Sequence, residues 1–344
     1  MTEKQMILSQ RLSSWLAEDG DDCDVVISSR VRLARNIAGQ PFPVYAQNAE
    51  IIERVSRVFP SGFLRMDMQD LTGLERALLV EKHLISPYLM SKSLQGAVLI
   101  NEAEDVSIMI NEEDHLRIQA MAAGLNLFKV LEGALEMDRK IEQEIPLAFD
   151  QQLGYLTSCM TNIGTGLRAS VMVHLPGLVQ TKRIRKMIEA IRSVGFVVRG
   201  MYGEGSRPAS DIFQISNQLT LGKTEEEIVE DLTQVIEQLI MQERVARTSL
   251  KQKFHILLED RLFRAYGLLK NSRVISAGES ADAISDLRLG IELGYFEHIP
   301  REKMNELVLF SQPAFLRMAA EKDMSELEEK VIRASVIRTI LGEE

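Results

Sequence analysis

The sequence predicts an α+β fold: an antiparallel sheet flanked by helices, followed by an all-helical C-terminal region. Three observations carry that expectation. Two short apolar runs, AVLIN (97–101) and VSIMIN (106–111), are joined by the polar link EAED, a spacing suited to a hairpin. Strands and helices alternate elsewhere, yet that hairpin and the short loops favour an antiparallel sheet over a doubly wound parallel one. Beyond Gly222 nearly every segment reads as amphipathic helix, broken at Gly267, Gly278, Gly290 and Pro300.

In chain order, the first strand is DVVISS (24–29), which ends in a cluster of arginines, Arg30, Arg32 and Arg35; GQPFP (39–43) follows as a loop. Residues 47–59 and 72–86 carry apolar positions at helix spacing, the second run with Thr72 as N-cap and His83 on the helix. The hairpin then delivers NEEDHLR (111–117). From Leu116 the pattern reads as one helix to Ile145, closed by Pro146, so the acidic motif is expected at a strand-to-helix junction. A polar loop, SCMTNIGTGLR (158–168), leads into the strand RASVMVHLP, a helix over 181–194, the strand FVVRGMYG and, after a loop over 203–211, the strand IFQISNQLT. A boundary near 245–250 divides the chain into domains over 20–245 and 250–344.

At 344 residues the chain is long enough for two domains, and 45% hydrophobic with 26% charged residues is the balance of an ordinary globular protein. No apolar run reaches membrane-spanning length, and the opening MTEKQMILSQ lacks the features of a secretory signal, so a cytoplasmic location is the default expectation. Two cysteines, Cys23 and Cys159, are too few for a disulfide scaffold or a zinc site. A net charge of −10 argues against general nucleic-acid binding, so any polyanion site must be local.

Arginines supply such a site. Guanidinium groups at the ends of separate strands can converge on a triphosphate, because their planar fork of donors meets phosphate oxygens in bidentate geometry; no Walker loop occurs in the sequence. Taken singly, each arginine reads first as a surface ion pair, since exposed pairs are common and weak. NEEDH packs three acids after an apolar strand, an arrangement that suits a held cation, either Mg²⁺ or a guanidinium, or else a solvated acidic turn. Cys159 sits among Ser, Thr, Asn and Gly, where a thiol has no packing reason to be and backbone N–H groups can lower its pKa, although a lone cysteine is more often inert than catalytic. GTG (164–166) fits no dinucleotide or kinase glycine loop, and His83 reads first as a core histidine.

Together SSRVRLAR (28–35), NEEDHLR, NIGTGLRAS (162–170) and RGMYGEGS (199–206) resemble, in order, the motifs of the phosphagen (guanidino) kinases over about residues 20–245. Absence of that family's small N-terminal domain and the added helical tail is similar to the bacterial protein-arginine kinases. The resemblance implies the phosphagen-kinase catalytic fold, ATP and Mg²⁺, and phosphorylation of arginine side chains exposed on proteins. It assigns Arg30, Arg32, Arg117, Arg168 and Arg199 to the nucleotide phosphates, within ATP-binding stretches Ser28, Ser29, Arg30, Val31, Arg32; Arg168, Ala169, Ser170, Val171, Met172; and Arg199, Gly200, Met201, Tyr202, Gly203, Glu204. His83 falls where the family contacts the nucleotide. Glu113 and Glu204 match its substrate-binding acids, and Cys159 its reactive cysteine.

Chemically these roles cohere, because a protonated guanidinium must lose a proton before nitrogen can attack, and paired carboxylates can hold the cation and take that proton. Two departures stand out. Met160 replaces the proline that usually follows the cysteine, and the family's phosphoarginine-binding Arg-Asp-x-x-Arg-Ala reads Glu329, Lys330, Val331, Ile332, Arg333, Ala334 here, reversing the leading charge. The resemblance further implies an activator protein, the Clp protease machinery as downstream partner, a role in stress response and protein quality control, and a homodimer through the tail. Two other readings are a kinase for a small guanidino compound and a catalytically silent adaptor. Intact Glu113, Cys159, Glu204 and all five arginines oppose the adaptor.

Overall fold

The structure, a computed structural model, describes residues 3–9, 11–93, 95–200, 209–320 and 324–342. In chain order its elements are α1 (Glu3–Ile7), α2 (Ser14–Ala17), β1 (Val26–Arg35), α3 (Glu50–Val58), β2 (Phe63–Asp67), α4 (Gly73–Glu81), α5 (Pro87–Lys92), β3 (Ala97–Asn101), β4 (Val106–Ile110), β5 (Leu116–Ala123) and α6 (Leu127–Glu144). Then follow β6 (Phe149–Asp150), β7 (Gly154–Tyr155), β8 (Leu167–His174), α7 (Pro176–Gln180), α8 (Ile184–Ser193), β9 (Phe196–Gly200) and β10 (Ile212–Asn217). The remainder is helical: α9 (Glu225–Lys253), α10 (His255–Asn271), α11 (Ala277–Glu292), α12 (Glu302–Phe310), α13 (Pro313–Ala320) and α14 (Glu326–Leu341).

Eight strands form one sheet in the order β2-β3-β4-β5-β1-β8-β10-β9, with β6 and β7 as a separate ribbon. Antiparallel pairing runs from β2 through β3, β4 and β5 to β1. The large antiparallel sheet, its flanking helices and the helical C-terminal region are as the sequence predicts. The chain folds as two compact units: Met1–Asp21, Ser28–Val171 and Ser216–Gln234 make the first, and Asp22–Ile27, Met172–Ile215 and Val235–Glu344 the second.

Three local expectations need correction. The helix expected from Leu116 is instead strand β5, and helix α6 begins only at Leu127. LRIQAMAA is rich in good helix formers, but β5 pairs with β4 on one side and β1 on the other, so tertiary pairing overrides propensity. NEEDH is therefore a strand-to-strand turn, closed by Asn111 N–H donating to the His115 carbonyl (2.9 Å) with Asn111 in the left-handed region (φ 57°). Strand β1 does not stop at residue 29 but runs through all three clustered arginines to Arg35. Helix α4 ends at Glu81; His83 lies beyond it with φ 58°, off the helix. The start of α4 is as predicted, with Thr72 and Glu75 in a reciprocal capping box.

Within the first unit, alternation along β1 sorts the arginines: Arg30 and Arg32 share one face, while Val31, Leu33 and Arg35 face the core. Arg35 is fully buried. Its guanidinium pairs with Asp138 of α6 (2.7 Å), donates to the carbonyls of Ala34 and Thr165, and stacks 3.5 Å over the ring of Tyr155. Gly166 (φ 65°) makes room for it, since a Cβ there would lie 2.6 Å from both the Ala34 carbonyl oxygen and the guanidinium. In the second unit, α10, α11, α12 and α14 close over a core that includes Leu262, Leu287, Phe296, Met304 and Ile337.

Candidate active site

The site residues of the first unit are carried by the central strands and the two turns beside them. Arg30 and Arg32 come from β1, Arg117 from β5 and Arg168 from β8; Arg117 stands opposite Ala34 in the β1–β5 register. Arg30 reaches Ser170 Oγ (3.4 Å) and Arg168 reaches Ser216 Oγ (3.4 Å). Four like charges so close are costly. Burial lowers the Arg30 pKa to about 10, helped by Arg117 and Arg168, and burial with repulsion from Arg30, Arg117 and Arg168 holds Arg32 well below its ordinary value. Arg32 Nε is buried without a hydrogen-bond partner. A bound polyanion would supply both the missing acceptor and the missing countercharge, as the phosphates of a nucleotide can.

One counterion is built in. The buried Glu112 accepts from Arg117 (2.5 Å) and Ser86 Oγ (2.5 Å) through one oxygen, and from the Glu113 N–H (2.7 Å) through the other. Glu112 thus couples the arginine cluster to the acid beside it. Glu113 itself is half-buried, and burial, then the charges of Glu112 and Asp114, push its carboxyl above the ordinary range against the pull of Arg117. A reaction that needs this carboxylate will therefore lose rate, as pH falls, at a higher pH than an ordinary glutamate would set. Asp114→Asn, which removes one of the repelling charges, is expected to move that acidic limb of the pH–rate profile downward; an unmoved limb would dissociate it from Glu113.

Asp114 also ties the acidic turn to the cysteine loop. Its Oδ1 accepts from Asn36 Nδ2 (2.6 Å) and from the Ser158 N–H (2.6 Å), while Ser158 Oγ donates to the Glu113 carbonyl (2.8 Å). Asn36 Oδ1 accepts in turn from the His115 N–H (2.9 Å). Cys159 follows directly, half-buried, with Sγ 3.1 Å from Thr161 Oγ1. His83 lies near Arg30 with its ring edge-on to buried Trp15 (5.7 Å), and burial, then Arg30, lower its pKa to about 4, so it is neutral at pH 7.

The structure thus gathers Arg30, Arg32, Arg117, Arg168, His83, Glu113 and Cys159 in one unit. Among the flanking candidates, Ser28 is buried on β1, Ser29 accepts from the Asn126 N–H and donates to the Gly124 carbonyl, and Val31, Ala169 and Val171 are core. Met172 is half-buried on β8. Arg199 and Gly200 lie at the end of β9, in the second unit. Met201, Tyr202, Gly203 and Glu204 lie outside the described residues. Sequence reasoning missed Asn36, Ser86, Trp15 and Ser158; it singled out Glu112 and Asp114 only as members of the run of three acids, without separate roles. Among the described residues no cluster of three or more His, Cys, Asp or Glu suits a metal ion.

On α14, Arg333 is buried and fully engaged: it donates to the Ser311 carbonyl (3.0 Å) and pairs with Glu329 (2.6 Å). Lys330 pairs with Glu326 (2.6 Å), and Ala334 is core.

Comparison with known proteins defines the class first. The family model described as ATP:guanido phosphotransferase, C-terminal catalytic domain, matches residues 50–246. Among solved structures the fold is similar to a lombricine kinase (25% identity, TM-score 0.58, 70% of this chain and 71% of that chain). It is also similar to a duplicated taurocyamine kinase from Schistosoma mansoni (26%, TM-score 0.57, 64% of this chain and 33% of that chain). The model of the protein-arginine kinase McsB C-terminal domain matches residues 255–344. Protein-arginine kinases from Listeria welshimeri and a Geobacillus species are 69% and 52% identical, covering 98% and 95% of this chain and 99% and 93% of theirs. The chain belongs to the protein-arginine kinase family of guanidino phosphotransferases.

Proposed function

We propose that this enzyme transfers the γ-phosphoryl group of Mg-ATP to a guanidinium nitrogen of arginine side chains in proteins, with Arg30, Arg32, Arg117, Arg168 and Arg199 on the nucleotide phosphates. The observation that carries the reading is the under-neutralised arginine cluster joined through Glu112 to Glu113. Glu113 holds the substrate guanidinium and accepts the proton it sheds as nitrogen bonds to phosphorus and the bond to the β-phosphate oxygen breaks. By their places in the family motifs, Glu204 is assigned as a second acid for that guanidinium and Cys159 as the reactive thiol. Arginine charge stabilises the transferring phosphoryl, so the protein contributes positioning and electrostatics. Mg²⁺ enters with the nucleotide as part of the substrate.

In this reading residues 20–245 are the catalytic domain, and residues 250–344 are a binding and dimerisation domain. The pairing of Arg333 with Glu329 leaves the Glu329–Ala334 motif internally neutralised. Cytoplasmic protein quality control, with Clp-type proteolysis of marked proteins, control of stress-response regulators and an activator protein, is the physiological setting we assign. Among the described residues no helix is long and apolar enough to cross a membrane.

The test is incubation with Mg-ATP and an unfolded model protein, beside free arginine, followed by mass spectrometry that preserves acid-labile phosphoramidate. Phosphate on arginine side chains is expected. Phosphate on free arginine alone would replace this reading with a small-molecule kinase.

A further inference from the structure

We propose that exposed apolar residues around the cysteine loop form a rim that binds apolar side chains flanking the target arginine in an unfolded protein segment. This deepens the proposed function and rests on it. Met160 is 83% exposed, Leu219 72%, Phe149 57%, Leu221 53% and Leu153 45%. Single exposed apolar residues are ordinary on a protein surface, but five on adjoining segments beside a reactive site mark an interaction surface.

Backbone geometry joins these segments into one surface. The β6–β7 ribbon, bearing Phe149 and Leu153, binds the cysteine loop through the Tyr155 N–H donating to the Gly164 carbonyl (2.8 Å). The stretch bearing Leu219 and Leu221 binds the same loop: Thr165 N–H donates to the Thr220 carbonyl (3.0 Å), and Thr220 Oγ1 donates to the carbonyls of Thr161 (3.0 Å) and Ile163 (2.6 Å). Gly164 (φ 113°) permits the close approach, because a Cβ there would collide with the Thr220 carbonyl and Leu221 Cα. The base is stiff. Phe149 packs edge-on against Tyr155 (5.2 Å), and Tyr155 lies on the buried Arg35.

Continuity with the guanidinium site identifies the occupant. Met160 follows Cys159, and the neighbouring Ser158 holds both Glu113 and Asp114. When a guanidinium reaches Glu113 on a polypeptide, the main chain and adjacent side chains come to lie at the edge of the site. A free guanidino compound would leave the rim in water. A second copy of this chain seated there would stand in the path of any protein substrate. Apolar neighbours of an arginine are mostly buried in folded proteins and accessible in unfolded ones, so the rim selects for unfolding.

Two synthetic peptides test this, each with one arginine, flanked on both sides by leucine and phenylalanine or by serine and glycine. Both binding, by fluorescence anisotropy, and transfer are measured. Wild type is expected to favour the apolar peptide by about tenfold in kcat/KM, mainly through KM, the scale of one or two side chains partly removed from water. Leu219→Ser/Leu221→Ser, both at exposed positions, should bring the ratio within about twofold while leaving kcat/KM for the polar peptide unchanged. Equal use of both peptides by wild type, or a preference that survives the double substitution, overturns the proposal. So does a changed oligomeric state of the double variant with the preference intact, which would assign the rim to a second copy. Failure of the kinase reading is separate, appearing as no phosphoarginine on either peptide.

Discussion

Glu113→Gln is expected to lower kcat by about 10²–10⁴-fold, the usual range for removing a positioned general base. Glutamine keeps the size and a hydrogen-bonding oxygen but cannot accept the proton that the guanidinium must lose. The backbone contacts that place the residue, Glu113 N–H to Glu112 and Ser158 Oγ to the Glu113 carbonyl, do not involve its side chain, so the fold should be undisturbed. Nucleotide affinity should stay within about threefold, because the arginines and Glu112 are intact. Single-turnover rates and nucleotide titration separate the two effects. A variant with near-normal kcat would remove Glu113 from the chemistry; one with weakened ATP binding would make it part of the phosphate site instead.

Asp138→Ala is expected to destabilise the protein by about 3–5 kcal/mol, the cost of leaving a buried charge without its partner. Arg35 would lose the acceptors of both its Nε and one terminal nitrogen, in a place where its side chain has no access to water. The remaining acceptors, the Ala34 and Thr165 carbonyls, carry no full charge. Denaturant unfolding should show the loss as a lower midpoint. A double variant, Arg35→Met with Asp138→Leu, should recover much of it, since an apolar pair of similar volume removes the unpaired charge. Little change on Asp138→Ala would mean that the pair is solvated in solution.

Elements with local signatures were legible in the sequence. The β3–β4 hairpin has alternating apolar runs across a short polar link, and α4 has Thr72 three residues before Glu75. Strand β5 was not legible, because Leu116, Gln119, Ala120 and Met121 are helix formers and nothing local records that two other strands flank them. In β1 the period-2 placement of Arg30 and Arg32 against Arg35 was present in the letters, but its meaning depended on knowing that the strand continues. At the site, individual arginines and acids could be picked out. The links among them could not, since Asn36, Asp114 and Ser158 meet across 78 and 44 residues of chain and no spacing rule joins them.

The alternation of β1 has a consequence for errors of assembly. Arg30 and Arg32 share one face of the strand while Val31 and Leu33, on the other face, are fully buried. If β1 paired with β5 one residue out of step, both cations would enter the apolar layer and both aliphatics would leave it. The same alternation of cations and aliphatics therefore proofreads the pairing of the central strands, because a chain zipped in the wrong phase buries two charges and exposes two aliphatics.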